Sequence, residues 1–217
     1  MRTSIWLVRH GQTIRNRERR YQGATDSPLT PYGQQQVAAL AQRLRRIPFT
    51  LAVAGSSGRT QTTAAMLIGQ RPLSVVADPR WAETHHGRWE GLTYREVVGR
   101  YRDEAARRFS DPLHGRPEGG ESLADVQARV AEAWNALLRE HPGGRILVVT
   151  HATPIQLILC ATSNLPPTQH WRWRVDLASL TVLDVYAAGP IVRVVNEVQR
   201  LKHADPADLH EDLPDDA

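Results

Sequence analysis

The sequence predicts an α/β three-layer sandwich, with a mostly parallel central sheet and helices on both faces. Three observations carry this expectation. Residues 4–8, 50–54 and 145–150 are short runs dominated by aliphatic side chains, the composition of strands buried on both faces. The stretches between them repeat their apolar residues at helical spacing. Strand and helix alternate, the order that lays strands parallel beneath crossover helices.

In chain order, residues 4–8 form the first strand. Thr30 then N-caps a helix with Pro31 at its first position, and Val37, Leu40, Ala41, Leu44 and Ile47 fall on one face. Residues 50–54 make the second strand, 58–68 the second helix and 73–77 the third strand. Apolar spacing over 93–109 predicts a single helix, with a loop rich in Gly and Pro behind it. Ser122 and Asp125 stand three apart, as in a capping box, ahead of a long helix ending near Gly143 and Gly144. Residues 145–150 form the fourth strand and 154–163 a helix. The pair 180–186 and 191–198 forms a late hairpin around Gly189 and Pro190. With no repeat or linker, residues 1–202 read as one domain in which 84–121 is an excursion over one end of the sheet. Residues 203–217 read as an acidic C-terminal tail.

Composition narrows the function classes. An apolar content of 41% supplies a core and excludes disorder for the chain as a whole. No apolar run reaches the length of a membrane span, so a cytoplasmic protein without membrane contact is expected. Cys160 is the single cysteine and lies in an apolar run, which suits a buried small hydrophobe better than a nucleophile or metal ligand. The 27 basic residues all precede position 203, against 17 of the 23 acids. Such a body attracts anions, but its arginines are scattered and no nucleic-acid-binding motif accompanies them, so nucleic acid is not expected as a partner. The tail is expected to be solvated, or to lie weakly across the arginine-rich surface and compete with anionic substrates.

The unusual polar residues follow the strands. Arg9-His10-Gly11 follows the first, the segment ending in Arg59 follows the second, Glu83 lies beyond the third, and His151 follows the fourth. In an open α/β sheet the ligand crevice lies outside the carboxyl ends of the strands, so these segments converge on one pocket. Two guanidiniums there make a clamp for a phosphate dianion. A neutral imidazole is a nucleophile toward phosphorus, and a second imidazole donates to an equatorial oxygen. The carboxyl group suits the remaining task, protonating the departing alkoxide and then deprotonating water.

Leu7-Val8-Arg9-His10-Gly11-Gln12-Thr13 resembles the signature of the histidine phosphatase superfamily, in its phosphoglycerate mutase-like branch. The resemblance extends over about residues 3–200. It takes in Asn16, Gln22-Gly23, Asp26-Ser27-Pro28-Leu29-Thr30, Ser56 with Arg59, and Glu83 followed by Gly87-Arg88-Trp89-Glu90-Gly91-Leu92. It also includes Gly119-Gly120-Glu121-Ser122 and Val149-Thr150-His151. It implies a phosphoglycerate mutase-like fold and catalytic roles for five residues. His10 is the residue phosphorylated, Arg9, Arg59 and His151 hold the phosphoryl group, and Glu83 donates the proton. Asn16, Gln22, Gly23 and the backbone of Ala152 would line the phosphate end. Two positions depart from the pattern: Ala152 stands where the family usually has Gly, and Thr60 follows Arg59 where Ala is usual.

Within the family, the short segment after Glu83, without a lysine, is similar to the phosphatase subgroup. The expected enzyme is therefore a metal-independent phosphatase of the histidine acid type acting on a small phosphorylated metabolite. A cofactor-dependent phosphoglycerate mutase and a non-catalytic phosphoryl-binding module are the alternatives. No cofactor and no metal are expected: His85 and His86 beside Glu83 and Glu90 match no metal-ligand spacing and are expected at the pocket mouth. One or two arginines of the run Arg15 to Arg20 are expected to meet a second anionic group of the substrate. A homodimer is left open.

Overall fold

Strands buried on both faces need apolar residues on both sides, and residues 5–8 of the first strand meet that demand. In the computed structural model, which describes residues 1–199 and 201, β1 (Thr3–Arg9) sends Ile5 and Leu7 to one face and Trp6 and Val8 to the other. A short helix α1 (Ile14–Arg17), then α2 (Pro31–Leu44), β2 (Leu51–Ala54), α3 (Gly58–Ile68) and β3 (Val75–Ala77) follow. Two 3-10 turns, Pro79–Trp81 and Gly87–Trp89, lead to α4 (Tyr94–Arg100) and α5 (Arg102–Ser110). The chain continues through α6 (Leu123–Glu140), β4 (Arg145–Thr150), α7 (Ala152–Thr162), a 3-10 turn Pro167–Arg172, β5 (Leu180–Tyr186) and β6 (Gly189–Glu197).

The six strands form one sheet in the order β3-β2-β4-β1-β5-β6. The first four are mutually parallel, and β5 and β6 add an antiparallel edge beside β1. Helices α6 and α7 cover one face, where Val126, Val130, Ile155 and Leu159 meet Ile5, Leu7, Ile146 and Val148. Helices α2 and α3 cover the other, where Val37, Leu40, Ala64 and Leu67 meet Val8, Ala54, Leu147 and Val149. This is the predicted three-layer α/β sandwich. Among the described residues no helix is long and apolar enough to cross a membrane. The acidic tail expected over 203–217 lies outside the described residues.

Several elements differ from the sequence reading. The single helix expected over 93–109 is two, because Tyr101 leaves the helical region (φ −131°, ψ 43°) and serves as the end of α4 and the start of α5. Apolar spacing continues across the break, with Val97 and Ala105 both buried in a satellite core on Trp89. The reason for the turn lies in Glu104, a buried carboxylate drawn toward the preceding 3-10 turn. It accepts from Trp89 Nε1 (2.5 Å), Arg88 Nη2 (2.7 Å) and the Glu118 backbone N–H (3.1 Å). Helix α7 begins at Ala152, two residues early, since Pro154 in a first turn loses no bond that a helix would have made. The arginine run holds α1, whose capping box pairs Thr13 with Asn16.

Truncating Glu104 to Ala strands the buried Trp89 N–H and frees α5 from the turn. The expected cost is about 2 kcal/mol, a fall of roughly 4–8 °C in the thermal midpoint for a chain this size. An unchanged midpoint for Glu104→Ala contradicts this account of the break.

Candidate active site

Register brings the two histidines together. β1 and β4 pair with Arg9 opposite Thr150, so the next residue on each strand, His10 and His151, emerges at the same sheet edge. The His10 backbone N–H donates to Thr150 O (3.1 Å), and the rings meet edge-on with centroids 5.0 Å apart. Neighbouring β2 feeds α3, which carries Arg59 in its first turn. Glu83 follows the Pro79–Trp81 turn, which is tied to the same edge by the Thr150 hydroxyl donating to Trp81 O (2.6 Å). The N-termini of α3 and α7 both open here, adding partial positive charge to the site.

The partners of each imidazole assign its tautomer. His10 Nδ1 lies 2.8 Å from Gly11 O, and a carbonyl only accepts, so Nδ1 carries the proton and Nε2 keeps its lone pair. His151 Nδ1 lies 3.4 Å from Arg59 Nη2, and a guanidinium only donates, so here the proton sits on Nε2. That Nε2 is buried without a hydrogen-bond partner among the described residues. Burial, then the charges of Arg59 and Arg9, holds His10 well below the usual 6.5, although the bond to Gly11 opposes this. Burial, then Arg59 and His10, does the same to His151. Both rings are neutral at physiological pH.

Arg59 is 1% exposed. Its guanidinium donates to Gly23 O (2.8 Å), Thr25 O (3.1 Å) and Asp26 Oδ1 (3.1 Å), and Gln22 adds an amide oxygen 3.3 Å from Nη1. The loop making those bonds is itself held by Glu90, whose carboxylate accepts from the backbone N–H groups of Ala24 (2.7 Å) and Thr25 (2.6 Å). Burial pushes Glu90 up, but the bonds from Thr25 and Ala24 outweigh it and leave the carboxyl below its ordinary value. Gly23 is required by closeness: a Cβ there would meet Thr84 O and come within 2.7 Å of Glu90 Oε1.

Glu83 accepts from its neighbour Thr84 N–H (2.8 Å) and, at 3.5 Å, from Thr153 N–H at the start of α7. Its backbone is held by Arg129 of α6, whose five N–H groups are all used. Two bond Glu121 at 2.8 Å, and the others go to the carbonyls of Arg80 (2.9 Å), Ala82 (2.7 Å) and Glu83 (2.8 Å). Glu121 also accepts from His85 N–H (2.9 Å). One arginine thus gathers three carbonyls of the segment that presents Glu83.

A cavity of about 920 Å³ opens over these groups and is lined at its inner end by Arg9, His10, Asn16, Gln22, Glu83 and Thr153. Arg59, His151 and Gly23 stand behind this lining, and Thr153 rather than Ala152 faces the cavity from α7. His86 reaches the cavity wall, whereas His85 turns its Nδ1 to accept from Gly87 N–H (2.9 Å). Among the described residues no group of three His, Cys, Asp or Glu side chains is placed to hold a metal ion.

The family model of the histidine phosphatase superfamily (branch 1) matches residues 5–198. The chain belongs to the histidine phosphatase superfamily. It is similar to a bifunctional protein of Mycobacterium tuberculosis, 37% identical over 197 residues, which are 90% of this chain and 54% of that one. The chain thus spans about half the length of such curated relatives. It is 30% identical to phosphoserine phosphatase 1 of Hydrogenobacter thermophilus, covering 88% of this chain and 90% of that protein. Other relatives carry phosphoglycerate mutase names. The crystal structure of the α-ribazole phosphatase from Shigella flexneri superposes with a TM-score of 0.84 at 29% identity, over 91% of this chain and 96% of that one.

This histidine phosphatase fold also depends on groups to which sequence reasoning gave no role: Asp26, Glu90, Glu121 and Arg129. The first three stand inside matched motifs. Arg129 left a fainter signal, an arginine beside the apolar stripe Val126, Val130, Ala133 of α6. The tightness around Gly23 is testable. Gly23→Ala is expected to lose about 1–3 kcal/mol of stability by overpacking. Gly99→Ala, at an exposed position of α4 where a Cβ meets nothing, is expected to be neutral or to gain up to about 1 kcal/mol. Equal denaturation midpoints for the two variants contradict the proposed fit.

Proposed function

We propose that this protein is a phosphoric monoester hydrolase that works through a phosphohistidine on His10, on a small phosphorylated metabolite. The observation that carries the reading is the His10 tautomer: its Nδ1–H is committed to Gly11 O, and Nε2 keeps a lone pair at a buried site beside two guanidiniums. In the first step Nε2 attacks phosphorus, a P–N bond forms, and the P–O bond to the alcohol breaks. Glu83 gives the departing oxygen its proton. Arg9, Arg59 and the Nε2–H of His151 bear the charge that gathers on the equatorial oxygens, with Asn16 and Gln22 completing the phosphate end. Water then attacks the phosphohistidine, losing its proton to Glu83, and His10 is released neutral with inorganic phosphate. The scheme draws on no metal and no cofactor. Hydrolysis is favoured over mutase chemistry by the segment between Glu83 and α6, which holds no lysine to retain a phosphoglycerate.

Arg129 enters the proposal as a positioning residue, because it holds the backbone of Glu83 and touches no reacting atom. Labelled substrate is expected to leave an acid-labile, base-stable adduct that is lost in His10→Ala; a phosphoserine, or full activity in His10→Ala, overturns the reading. Glu83→Gln is expected to slow alkyl phosphates about 100-fold or more and to spare p-nitrophenyl phosphate, whose leaving group needs no proton. Arg129→Lys should copy that leaving-group selectivity in milder form and add nothing to Glu83→Gln. Equal losses on both ester types would assign Arg129 to stability alone.

A further inference from the structure

Away from the phosphate-binding groups the cavity lining sets Tyr21, His86, Tyr94 and Phe109 beside Glu18, Arg19, Arg20 and Arg95. The aromatic part of the wall is joined by ring contacts, His86 against Tyr21 (4.9 Å between centroids) and Phe109 against Tyr94 (5.8 Å), and Trp89 links the two pairs from the core, 5.6 Å from Tyr21 and 6.2 Å from Phe109. Trp89 is buried, while Tyr94 and Phe109 stand 41% and 48% exposed, and Val98 lines the same cavity. Two exposed aromatics side by side on a cavity wall are out of place on a solvated surface and mark a contact surface for something apolar and flat. Burial, and then Tyr94, pushes the Tyr21 phenol up to about 12, so this part of the wall stays neutral.

We infer that the alcohol half of the substrate carries an aryl or heteroaryl group, which lies against Tyr94 and Phe109 while the phosphoryl group sits on His10. This deepens, and rests on, the phosphatase reading. The compact, charged alcohol of a phosphoserine-like ester would leave the rings uncovered. Its carboxylate would have to be taken by cavity arginines, one of which, Arg20, is already bonded to Glu18 (3.2 Å), Glu96 (2.9 Å) and Gly91 O (2.8 Å). Arg19 and Arg95 border the same cavity, which makes a carboxylate-bearing ligand the right competitor in a test.

Phosphonates separate binding from catalysis, because their C–P bond is not cleaved. Titration calorimetry on the full chain would compare 2-phenylethylphosphonate with ethylphosphonate, and with 2-amino-4-phosphonobutanoate, the phosphonate counterpart of phosphoserine. The phenyl compound is expected to bind roughly 30-fold tighter than ethylphosphonate, the fold-change for burying one such ring, and tighter than the amino acid. In Tyr94→Ala and Phe109→Ala, exposed positions whose truncation spares the core, the phenyl-to-ethyl ratio is expected to fall toward one. A wild-type ratio near one, a preference for the amino acid, or a ratio unmoved by both variants overturns the inference. Turnover of p-nitrophenyl phosphate is read in parallel: its absence counts against the phosphatase reading, whereas the phosphonate ratios decide the aryl site.

Discussion

A guanidinium cannot give up its charge, so an arginine with 1% exposure needs partners where it stands, and both terminal nitrogens of Arg59 have them, whereas its Nε has none among the described residues. Arg59 imposes that condition on everything around it. Its donors recruit the carbonyls of Gly23 and Thr25, the Asp26 carboxylate and the Gln22 amide, and thereby define the conformation of the loop after α1. Glu90 then serves the N–H groups of the same loop, linking it to the Gly87–Trp89 turn. Breaking a buried charged arrangement of this kind costs on the order of 3–5 kcal/mol, so the loop cannot relax without disturbing the sheet edge. The same charge also acts at a distance, with Arg9, in keeping both imidazoles unprotonated.

Arg129 does for the Glu83 side what Arg59 does for the phosphate side. It is neutralised by Glu121, so its field on the site is small, and what it contributes is geometry: three carbonyls of one short segment are drawn to one planar group. The parallel sheet supplies the remaining precision. The Arg9–Thr150 register sets the histidines side by side, and the Thr150 hydroxyl reaches across to Trp81 O, so strand β4 and the Glu83 segment share one anchor. A nucleophile, a donor and a charge clamp built on three separate elements are thus referred to a common edge.

Much of this is legible in the sequence. The bounds of α3, β4 and β5 follow from apolar runs between clear breakers, and Arg9, His10, Arg59, Glu83 and His151 stand where strand ends must converge. The misses share a physical origin. α1 is hidden because its run of arginines has no apolar period, and its evidence lies in a Thr13–Asn16 cap rather than in a hydrophobic face. The break at Tyr101 is invisible to periodicity because Val97 and Ala105 keep helical spacing across it, while the cause is a carboxylate bonded to Trp89 and Arg88, 15 and 16 positions earlier. Arg129 bonds to backbone carbonyls nearly 50 residues away, and carbonyls have no sequence signature.

Burial beneath two guanidiniums holds His10 and His151 neutral, in opposite tautomers, before any substrate arrives. Nitrogen-15 NMR of histidine-labelled protein reads protonation and tautomer directly. At pH 6.5, where an exposed imidazole is half protonated, both rings are expected to show neutral-ring shifts, His10 with its proton on Nδ1 and His151 with its proton on Nε2. Half protonation of either ring at that pH, or a His10 proton on Nε2, would contradict the account.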